Sequence, residues 1–421
     1  MPAAGPAGAA ATATAGARGP EVRSDCWVAV RPTPNGEAPR REVESRVAAL
    51  YGRSIRALLD AALATLGATD LSVSLLDGGA LPFTLMARIE AAVRRLRPDA
   101  PGEVLPPRHP ETRYAAPADR PRRSRLYLPG NTPRYFVNAG LHRPDAVILD
   151  LEDSVAPAEK DAARLLVRAA LRAVPFYGAE KMVRINRLPL GLEDVRCLVP
   201  HGVHTILLPK AERAEEVRAV HDQIERLRRA DAPGERAPVH LLPIVESARG
   251  VLAAAEIAAA APSVVALAIG LEDYTADIGA RRSADGEESA WALGQVVNAA
   301  RAAGVQPLAS VFAAVDDEPG LRAWAARAAG LGFEGVGCLH PRQVRPVHEA
   351  FAPDAAEVRR AQAIVDRFAA AAAEGEGVIA VDGEMVDAPV VARARRVLAS
   401  AAAGSDAAAA AAGAAPPREG R

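Results

Sequence analysis

An alternation of short apolar runs with longer amphipathic ones, beginning at Ser124, constrains the fold of this chain more than any other feature. The short runs have the length and aliphatic composition of buried strands, and the longer ones carry apolar residues at helical spacing. Eight strands that alternate with helices predict an α/β fold, a (β/α)₈ TIM barrel; a doubly wound open sheet is the alternative but rarely needs eight such units. The predicted strands are 125–128, 146–151, 182–185, 205–208, 239–245, 264–269, 307–311 and 335–339, with helices at 159–174, 211–229, 251–261, 288–303 and 320–331.

Length and composition agree with a barrel that carries additional parts. The chain has 421 residues, more than the roughly 250 of a typical barrel. Half of the residues are apolar and only 4% are aromatic, so the core must be built from Ala, Val and Leu. A formal charge of -1 gives no reason to expect binding to nucleic acid or to a membrane surface. No run reaches the roughly 18 apolar residues of a membrane span.

The cysteines and the first residues indicate a cytoplasmic protein. Cys26, Cys197 and Cys338 lie far apart, a spacing that supports neither a disulfide framework nor a zinc site. The chain starts without the basic and Leu-rich regions of a secretory signal. We therefore expect a soluble protein in a reducing cytoplasm.

Changes in composition divide the chain into five parts. Segments 1–19 and 401–421 are rich in Ala and Gly and are predicted to be disordered. Pro, Arg and Asp crowd together in 98–121, which predicts a flexible linker. Residues 20–97 predict a small α+β module with strands at 26–31 and 71–76 and helices at 43–66 and 85–96. Residues 122–400 hold the barrel and a C-terminal extension.

Charged residues follow several of the predicted barrel strands at the point where each strand ends. Because the active site of such a barrel lies at the carboxyl ends of its strands, these residues are candidates for a common site. The small module has no comparable cluster. The strand-end residues are Asp150, Glu152 and Asp153, then Arg184 and Asn186, then Lys210, Glu246, Glu272 and Asp273, while Arg123 precedes the first strand.

Glu246 and Asp273 follow neighbouring strands and are the candidate metal ligands. Two carboxylates with little other protein ligation suit a hydrated Mg²⁺ ion. The alternative is that both residues only cap helices or compensate helix dipoles. Asp277, four residues after Asp273, is expected to support the site from its edge.

Arg184 and Lys210 are the candidate cations of this site. Arg184 either braces the barrel in an ion pair with Asp150 or Glu152, or offers a planar fork to a substrate carboxylate or an enolate. Lys210 is expected to pair with a carboxylate, and Schiff-base chemistry is the alternative. A metal beside cationic groups suits cleavage of the C–C bond next to a hydroxy acid, which is retro-aldol or retro-Claisen chemistry.

The strand-end motifs resemble the citrate lyase β-subunit family of the HpcH/HpaI aldolase superfamily, over about 122–400. The matching segments are Arg-Ser at 123–124 with Leu-Tyr-Leu-Pro-Gly at 126–130, Leu-Asp-Leu-Glu-Asp-Ser-Val at 149–155, Val-Arg-Ile-Asn at 183–186, Leu-Pro-Lys at 208–210, Glu-Ser-Ala-Arg-Gly at 246–250, Gly-Leu-Glu-Asp-Tyr at 270–274, His-Pro-Arg-Gln at 340–343 and Val-Asp-Gly-Glu-Met-Val-Asp at 381–387.

This resemblance implies a Mg²⁺-dependent acyl-thioester lyase in which Glu246 and Asp273 hold the metal. It also implies that Arg123 and Arg184 bind substrate, and we place Lys210 and Glu246 with them as substrate-binding candidates. Arg184 and Glu152 are the candidate catalytic residues of the rim.

Asp387 is a third catalytic candidate, also implied by the resemblance. It matches an acid that in related lyases reaches a neighbouring subunit's active site and exchanges a proton there. Its role would require a homo-oligomer, a trimer or larger. From the sequence alone, without the resemblance, a turn residue before Pro389 is the favoured interpretation of Asp387.

The front module resembles the γ subunit of citrate lyase, which is the acyl carrier protein of that complex. The matching segments are Ser-Asp-Cys-Trp-Val at 24–28, Val-Glu-Ser-Arg-Val at 43–47, Asp-Gly-Gly-Ala-Leu at 77–81 and Ala-Arg-Ile-Glu at 87–90. The resemblance implies that Ser24 carries a phosphoribosyl-dephospho-CoA arm; the alternative is an ordinary exposed serine. It also implies a partner, the α-like subunit that loads the arm.

Taken together, these patterns predict a lyase that cleaves a citryl thioester on the Ser24 arm into an acetyl thioester and oxaloacetate. One alternative keeps the barrel and changes the substrate to a free CoA thioester, such as citryl-, malyl- or citramalyl-CoA. The other makes the chain a non-catalytic carrier or scaffold subunit.

Overall fold

The computed structural model describes residues 11–229, 237–283, 285–373 and 377–413. Parts of the two predicted disordered tails, 1–10 and 414–421, lie outside the described residues. Within the described ranges, a small sheet-and-helix module, a connector, an eight-stranded barrel and a C-terminal extension follow one another along the chain.

The front module is a four-stranded sheet, in the order β1-β2-β4-β3, covered by two helices. β2 pairs antiparallel with β1 and β4, and β3 pairs parallel with β4. Ile55, Leu59, Ala62 and Leu63 are the buried residues of the first helix, at the spacing of one helical face. The elements are β1 (Ala13–Gly16), β2 (Cys26–Pro32), β3 (Arg41–Ser45), α1 (Ala48–Thr65), β4 (Leu71–Asp77) and α2 (Pro82–Leu96).

Two expectations for this module are corrected by the structure. The predicted N-terminal tail contains β1, which pairs with β2, and Gly16 permits that pairing because a Cβ there would lie 1.9 Å from the Cys26 carbonyl oxygen. The first helix begins at Ala48 and not at Val43, because Val43 belongs to β3 and pairs with Leu75. The alternating charged and apolar residues of β3 run directly into the helical pattern, so the sequence does not separate the two elements.

All eight predicted barrel strands are present, and they form one parallel sheet in which each strand pairs with its neighbours in sequence. β12 returns to pair with β5. Glu334 N donates to Pro307 O at 2.9 Å and Ala309 N to Gly335 O at 2.8 Å, which joins the last two strands and closes the circle. A closed barrel excludes the doubly wound alternative. The strands are β5 (Ser124–Pro129), β6 (Ala146–Asp150), β7 (Glu180–Arg184), β8 (Thr205–Leu208), β9 (His240–Val245), β10 (Ala266–Ile269), β11 (Gln306–Leu308) and β12 (Val336–Cys338).

Helices surround the barrel, and their apolar faces pack on the strands. The predicted helix 251–261 is two short helices, because the chain turns at Ala253. The helices are α3 (Arg134–Val137), α4 (Lys160–Ala173), α5 (Gly191–Leu198), α6 (Ala214–Arg229), α7 (Ala248–Leu252), α8 (Ala254–Ala258), α9 (Leu271–Asp277), α10 (Ala290–Ala302), α11 (Glu318–Leu331) and α12 (Val344–Phe351).

The barrel interior is filled by small and aliphatic side chains, as the scarcity of aromatic residues predicts. Tyr127 packs against this inner cluster as its aromatic member. The members of the cluster are Ala146, Ile148, Met182, Leu207, Leu242, Ile244, Ala266, Ala268 and Leu308.

The segment 98–121, predicted as a flexible linker, is instead fixed across the amino-terminal end of the barrel. Lys181 Nζ donates to Thr112 O at 2.8 Å, and ring nitrogens of His204 and His240 lie 2.8 and 3.0 Å from Tyr114 O and Ala116 O. Polar side chains at the strand starts thus satisfy the connector's carbonyl groups. A composition rich in Pro and Arg does not reveal this, because the partners are distant in sequence.

The front module shares a buried interface with the barrel, in which α2 packs against α4. Phe83 and Ala87 of α2 belong to the barrel's apolar core. Glu90, fully buried, accepts from Arg94 at 2.8 Å and from Arg168 of α4 at 2.5 Å. The module is therefore docked on the barrel and does not hang from a tether.

The C-terminal extension has a small core of its own, in which Ala361 and Ile364 pack with Val381, Val386 and Val391. Its last helix continues to Gly413, so the start of the predicted C-terminal tail is helical, as its Ala-rich sequence permits. The elements are α13 (Ala355–Ala373), β13 (Ile379–Val381), β14 (Glu384–Val386) and α14 (Ala388–Gly413).

Among the helices of the described ranges, none has both the length and the apolar character that crossing a membrane requires.

Removing one member of the buried Glu90–Arg168 pair should loosen the docked module. We expect Arg168→Ala to lower the free energy of unfolding by about 3 kcal/mol, because it leaves a buried carboxylate short of a partner. Urea denaturation measures this, and trypsin should begin to cut between 98 and 121. Arg345→Ala is the control, since Arg345 pairs with Glu349 on the exposed surface. Unchanged stability and an intact connector in Arg168→Ala would contradict the docking.

The buried His204 should make folding weaker in acid. Burial, helped by the Lys181 ammonium, lowers the pKa of His204 to about 3. Between that value and about 6.5 the unfolded chain binds a proton that the folded chain does not, so stability falls as pH decreases. Between pH 7.5 and 5 we expect the free energy of unfolding to fall more in the wild type than in His204→Gln, by up to about 2 kcal/mol. The exposed His142→Gln variant should keep the wild-type dependence, and equal slopes in all three proteins would refute the assignment.

Candidate functional site

A cavity of about 200 Å³ opens at the carboxyl ends of the barrel strands. Its upper wall is acidic, and its lower wall consists of residues that point into the barrel. The lining residues are Arg125, Tyr127, Asp153, Arg184, Ile244, Glu246, Ala268, Ile269, Gly270, Leu271, Glu272, Asp273, Ala309, Ser310, Val311 and Leu339. Five of the predicted strand-end residues line this one cavity, namely Asp153, Arg184, Glu246, Glu272 and Asp273.

Glu246 follows β9 and is 5% exposed. Its Oε1 accepts from the backbone N–H of Lys210 at 2.7 Å, so it does not cap its own helix, which Ser247 caps. Its Oε2 faces Gly270, where a Cβ would lie only 2.3 Å away, so this strand end requires glycine. Burial, and then the Asp273 carboxylate, raise the pKa of Glu246 to about 8. A site that holds two carboxylates together in this way favours a cation between them.

Asp273 lies in the first turn of α9, half-exposed on the cavity wall. This position is also compatible with compensation of the helix dipole. Asp277, one turn later, accepts from the backbone N–H of Ala248 at 2.8 Å and so ties α9 to α7. Its place at the edge of the site agrees with the expectation for it.

Lys210 lies behind the acidic wall and does not line the cavity. Its Nζ is 2.8 Å from Glu152 Oε1 and 3.7 Å from Asp273 Oδ1. Burial by itself would lower the pKa of Lys210, but the hydrogen bond to Glu152 and the nearby carboxylates outweigh it and raise the pKa. An ammonium held in this state is not the neutral amine that a Schiff base requires.

Arg184 lines the cavity at the end of β7, and most of its guanidinium is already paired. Its Nε and Nη2 donate to the two oxygens of Asp150 at 2.6 and 2.7 Å, and its Nη1 lies 3.0 Å from Glu152 Oε2. The ring of Tyr127 lies 5.4 Å from its Cζ. The ion pair that braces the barrel is therefore present, and the guanidinium still borders the cavity.

Glu152 and Asp153 form an interacting carboxylate pair. Burial and the Asp153 carboxylate raise the pKa of Glu152. For Asp153, burial alone would raise the pKa, but its interactions with Glu152, Arg184 and Lys210 lower it. Asp153 lines the cavity, whereas Glu152 lies behind it, 6% exposed. A proton shared by the pair would reside on Glu152.

The donor set at the rim fits a hard divalent cation better than a transition metal. Glu246 and Asp273 offer carboxylate oxygens, and in the described part of the chain no three His, Cys, Asp or Glu residues form a metal-binding group. A cation bound here would therefore take its remaining ligands from water and substrate, which is typical of Mg²⁺ coordination in proteins.

Two predicted site residues are not at the cavity. Arg123 precedes β5 at the opposite end of the barrel, where its Nε and Nη2 donate to Asp145 at 2.9 Å, so its predicted contact with substrate is wrong for this structure. Asp387 lies in the extension, where Asp387 O and Oδ1 accept from Val391 N at 3.0 Å and Val390 N at 3.3 Å. Within one chain it is the cap of α14.

The sequence analysis missed Arg125, which points into the barrel and lines the cavity from below. In the strand pattern it is simply the first residue of a buried run. Residues two apart on a strand share a face, so Arg125 and Tyr127 both lie on the inner face of β5. A cation on the inner face of a barrel strand was the sequence feature that could have identified Arg125 as a site residue.

Ser24 lies next to a charged link between the module and the barrel rim. It has a left-handed backbone conformation, with φ of 58°. The following residue, Asp25, accepts from Arg88 Nε and Nη2 at 3.0 and 2.8 Å, and the same Nη2 donates to Asn131 O at 2.8 Å. Asn131 lies two residues after the end of β5, so Ser24 is held near the carboxyl end of the barrel.

Two family models match the chain. The model described as HpcH/HpaI aldolase/citrate lyase matches residues 123–341, and an acyl-carrier model described as malonate decarboxylase delta subunit (MdcD) matches residues 11–96. The second match supports the carrier-like character of the module and includes β1.

Relatives match the barrel at similar levels. The chain is 39% identical over 289 residues to citrate lyase subunit beta of Leuconostoc mesenteroides subsp. cremoris, covering 67% of this chain and 94% of that protein. It is 33% identical over 307 residues to L-malyl-CoA/beta-methylmalyl-CoA lyase of Cereibacter sphaeroides, covering 68% and 96%. The crystal structure of protein CitE from Mycobacterium tuberculosis in complex with magnesium, acetoacetate and coenzyme A is 33% identical, with a TM-score of 0.56, and covers 67% of this chain and 98% of that one. The chain therefore belongs to the HpcH/HpaI aldolase/citrate lyase family and is a carbon–carbon lyase.

Proposed function

We propose that this protein cleaves a citryl thioester, carried on its own front module, into an acetyl thioester and oxaloacetate. The observation that carries the proposal is the acidic cavity of Glu246 and Asp273 in a chain whose carrier-like module is docked near the same rim. The names of the relatives agree in reaction type, since they are citrate lyase β subunits and malyl-CoA lyases.

Glu246 and Asp273 would hold a Mg²⁺ ion. When bound, the ion would polarise the hydroxyl and carboxylate of the citryl group as a Lewis acid. The magnesium complex of the solved relative supports this choice of metal. Lys210 positions both ligands, because its backbone N–H binds Glu246 and its ammonium faces Asp273.

Different residues of the rim accept the proton and stabilise the negative charge during cleavage. The citryl hydroxyl proton passes to Asp153 on the cavity wall and settles on Glu152, whose pKa is raised by burial and by Asp153. The C–C bond electrons move to the methylene carbon, which leaves oxaloacetate and a thioester enolate. Arg184, on the cavity wall, offsets the enolate's negative charge as it develops.

Reprotonation of the enolate carbon is assigned to Asp387 of another copy of the chain. Glu152 then releases its proton to water and Asp387 takes one up, so both carboxyl groups return to their starting states. In a single chain Asp387 caps α14 away from the cavity, so this role depends on a homo-oligomer, a trimer or larger. The separate small core of the extension is consistent with an arm that packs against a neighbour.

The carrier role rests on the surroundings of Ser24. A cavity of about 340 Å³ lies beside its loop, and its wall carries the cations Arg18 and Arg46 together with the acids Glu44 and Asp77. The two arginines of this wall suit the phosphates of a phosphoribosyl-dephospho-CoA arm on Ser24. Because the module is docked, the arm alone would travel to the cavity. An α-like subunit, which this chain does not contain, would load the arm, and the cytoplasmic location remains a prediction.

A second candidate substrate is a free CoA thioester, such as citryl-, malyl- or citramalyl-CoA. It is favoured by the relatives named as malyl-CoA lyases and by the coenzyme A in the solved relative. The same barrel chemistry would apply, and Ser24 would then carry nothing.

Removing the metal or either ligand should abolish cleavage. We expect Glu246→Gln and Asp273→Asn to lose Mg²⁺ binding in calorimetric titration and to lower kcat/KM by about 1000-fold or more, because each removes a charged ligand from the site. EDTA should abolish cleavage by the wild type, and added Mg²⁺ should restore the activity. Glu256→Gln, on the exposed side of α8, is the matched control. Mg²⁺-dependent cleavage that survives in both variants would refute the proposed site.

Intact-mass analysis separates the two substrates. Protein isolated from its native host should carry an adduct with the mass of the prosthetic arm, and Ser24→Ala should lack it. Ser54→Ala is the control, since Ser54 lies on α1 and is exposed. An unmodified wild type that cleaves CoA thioesters would overturn the carrier route and leave the lyase assignment in place.

A further inference from the structure

Arg125 is a buried cation without a counter-ion on the floor of the candidate active site. It is 3% exposed, and its Nη2 donates to Ala309 O at 2.7 Å. Its Nη1 is buried without a hydrogen-bond partner, and no carboxylate of the described residues lies within 4.0 Å of it in an ion pair. Burial lowers the pKa of this guanidinium, the direction expected when a charge is removed from water without compensation.

Other deeply buried arginines in the described part of the chain are paired. Arg88 binds Asp25 at 2.8 Å, Arg122 binds Glu180 at 2.8 Å, and Arg168 binds Glu90 at 2.5 Å. Burying a charge is costly unless it is paired and hydrogen-bonded. Arg125 lacks such a carboxylate partner, and it lines the cavity that a ligand would occupy. We therefore expect the ligand to supply its counter-ion.

The geometry of the cavity separates this cation from the acidic rim. Ile244 lies two residues before Glu246 on β9, and Ala268 lies two residues before Gly270, so the apolar floor is one layer below the metal-binding wall. Arg125 and Ala309 complete that floor. A ligand gripped at the rim by its hydroxyl and one carboxylate would extend its next substituent toward Arg125.

We propose that Arg125 binds the second free carboxylate of the substrate and thereby selects a citryl group over a citramalyl group. The two groups differ in one substituent on the hydroxyl-bearing carbon, which is a carboxymethyl in citryl and a methyl in citramalyl. A floor of Ile244, Ala268, Ala309 and the Tyr127 ring with one guanidinium accepts the carboxymethyl and leaves the guanidinium without a counter-ion beneath a methyl. This inference rests on the proposed function, because it concerns the substrate of that same cavity.

Paired substrates test the assignment. With Mg²⁺ present, kcat/KM is measured for citryl-CoA and citramalyl-CoA in the wild type, in Arg125→Met, which keeps much of the side-chain length, and in Arg125→Lys, which keeps the charge. We expect Arg125→Met to lower the citryl value by about 100-fold or more and to change the citramalyl value little, since a site built for a polar group rejects the analogue that lacks it. Arg125→Lys should retain part of the preference. An equal loss on both substrates, or no loss on either, overturns the inference.

A binding measurement keeps the test independent of turnover. Oxaloacetate and pyruvate differ by the same carboxylate, and calorimetry gives their affinities for the Mg²⁺-loaded wild type and variants. The wild type should bind oxaloacetate more tightly, and Arg125→Met should remove the difference. A wild type that discriminates between these two ligands but cleaves no thioester would refute the proposed function and support the role of Arg125. Equal affinities in the wild type would refute the role of Arg125 whatever the activity, and they remain decisive if Arg125→Met fails to fold.

Discussion

Closure of the eight-stranded sheet, completed by hydrogen bonds between β11 and the residues before β12, is the constraint on which every functional position depends. In a closed parallel barrel the carboxyl ends of all strands meet around one opening, so residues far apart in sequence become neighbours without any loop having to carry them. Glu246 and Asp273 face one cavity for this reason, with Arg184 at the end of β7 on the same wall. The amino-terminal end is used differently, since the connector covers it and Arg122 pairs with Glu180 there.

Electrostatics distinguishes the two layers of the cavity. At the rim, carboxylates outnumber the cations that reach them, and the pKa of Glu246 is raised first by burial and then by the Asp273 carboxylate. On the floor the imbalance is reversed, because Arg125 has no carboxylate beside it. A ligand that brings a metal ion to the upper layer and an anion to the lower one would neutralise both. The site is thus polarised along the barrel axis, in the direction that a hydroxy-polycarboxylate would lie.

The sequence predicts the parts of this structure that follow from local periodicity. The barrel strands are predictable because a short aliphatic run between two amphipathic segments is typical of a buried strand. The carboxylates at the strand ends follow from the barrel, because position along a strand determines which end of it a residue occupies. Arg123 is misplaced by the prediction, since a residue before a strand lies at the other end. The fixed connector and the docked module were not predictable, because Glu90–Arg168 and Lys181–Thr112 join segments whose patterns carry no mark of their partners. Arg125 was overlooked because strand propensity ignores charge.

The docking of the front module also restricts which enzymes and partner subunits can act on the module. In a free carrier, the faces of its helices are available in turn to each enzyme that loads, modifies or unloads the arm. Here one face of α2 is occupied, through Phe83 and Ala87, by the barrel. Under the proposed function, an enzyme that attaches an arm to Ser24, or a subunit that acylates it, would have to act on a module whose α2 face is already covered by the barrel. Such partners would be chosen by steric access around the Ser24 loop, so a modifying enzyme adapted to a separate carrier would be excluded even where the attachment motif itself is intact.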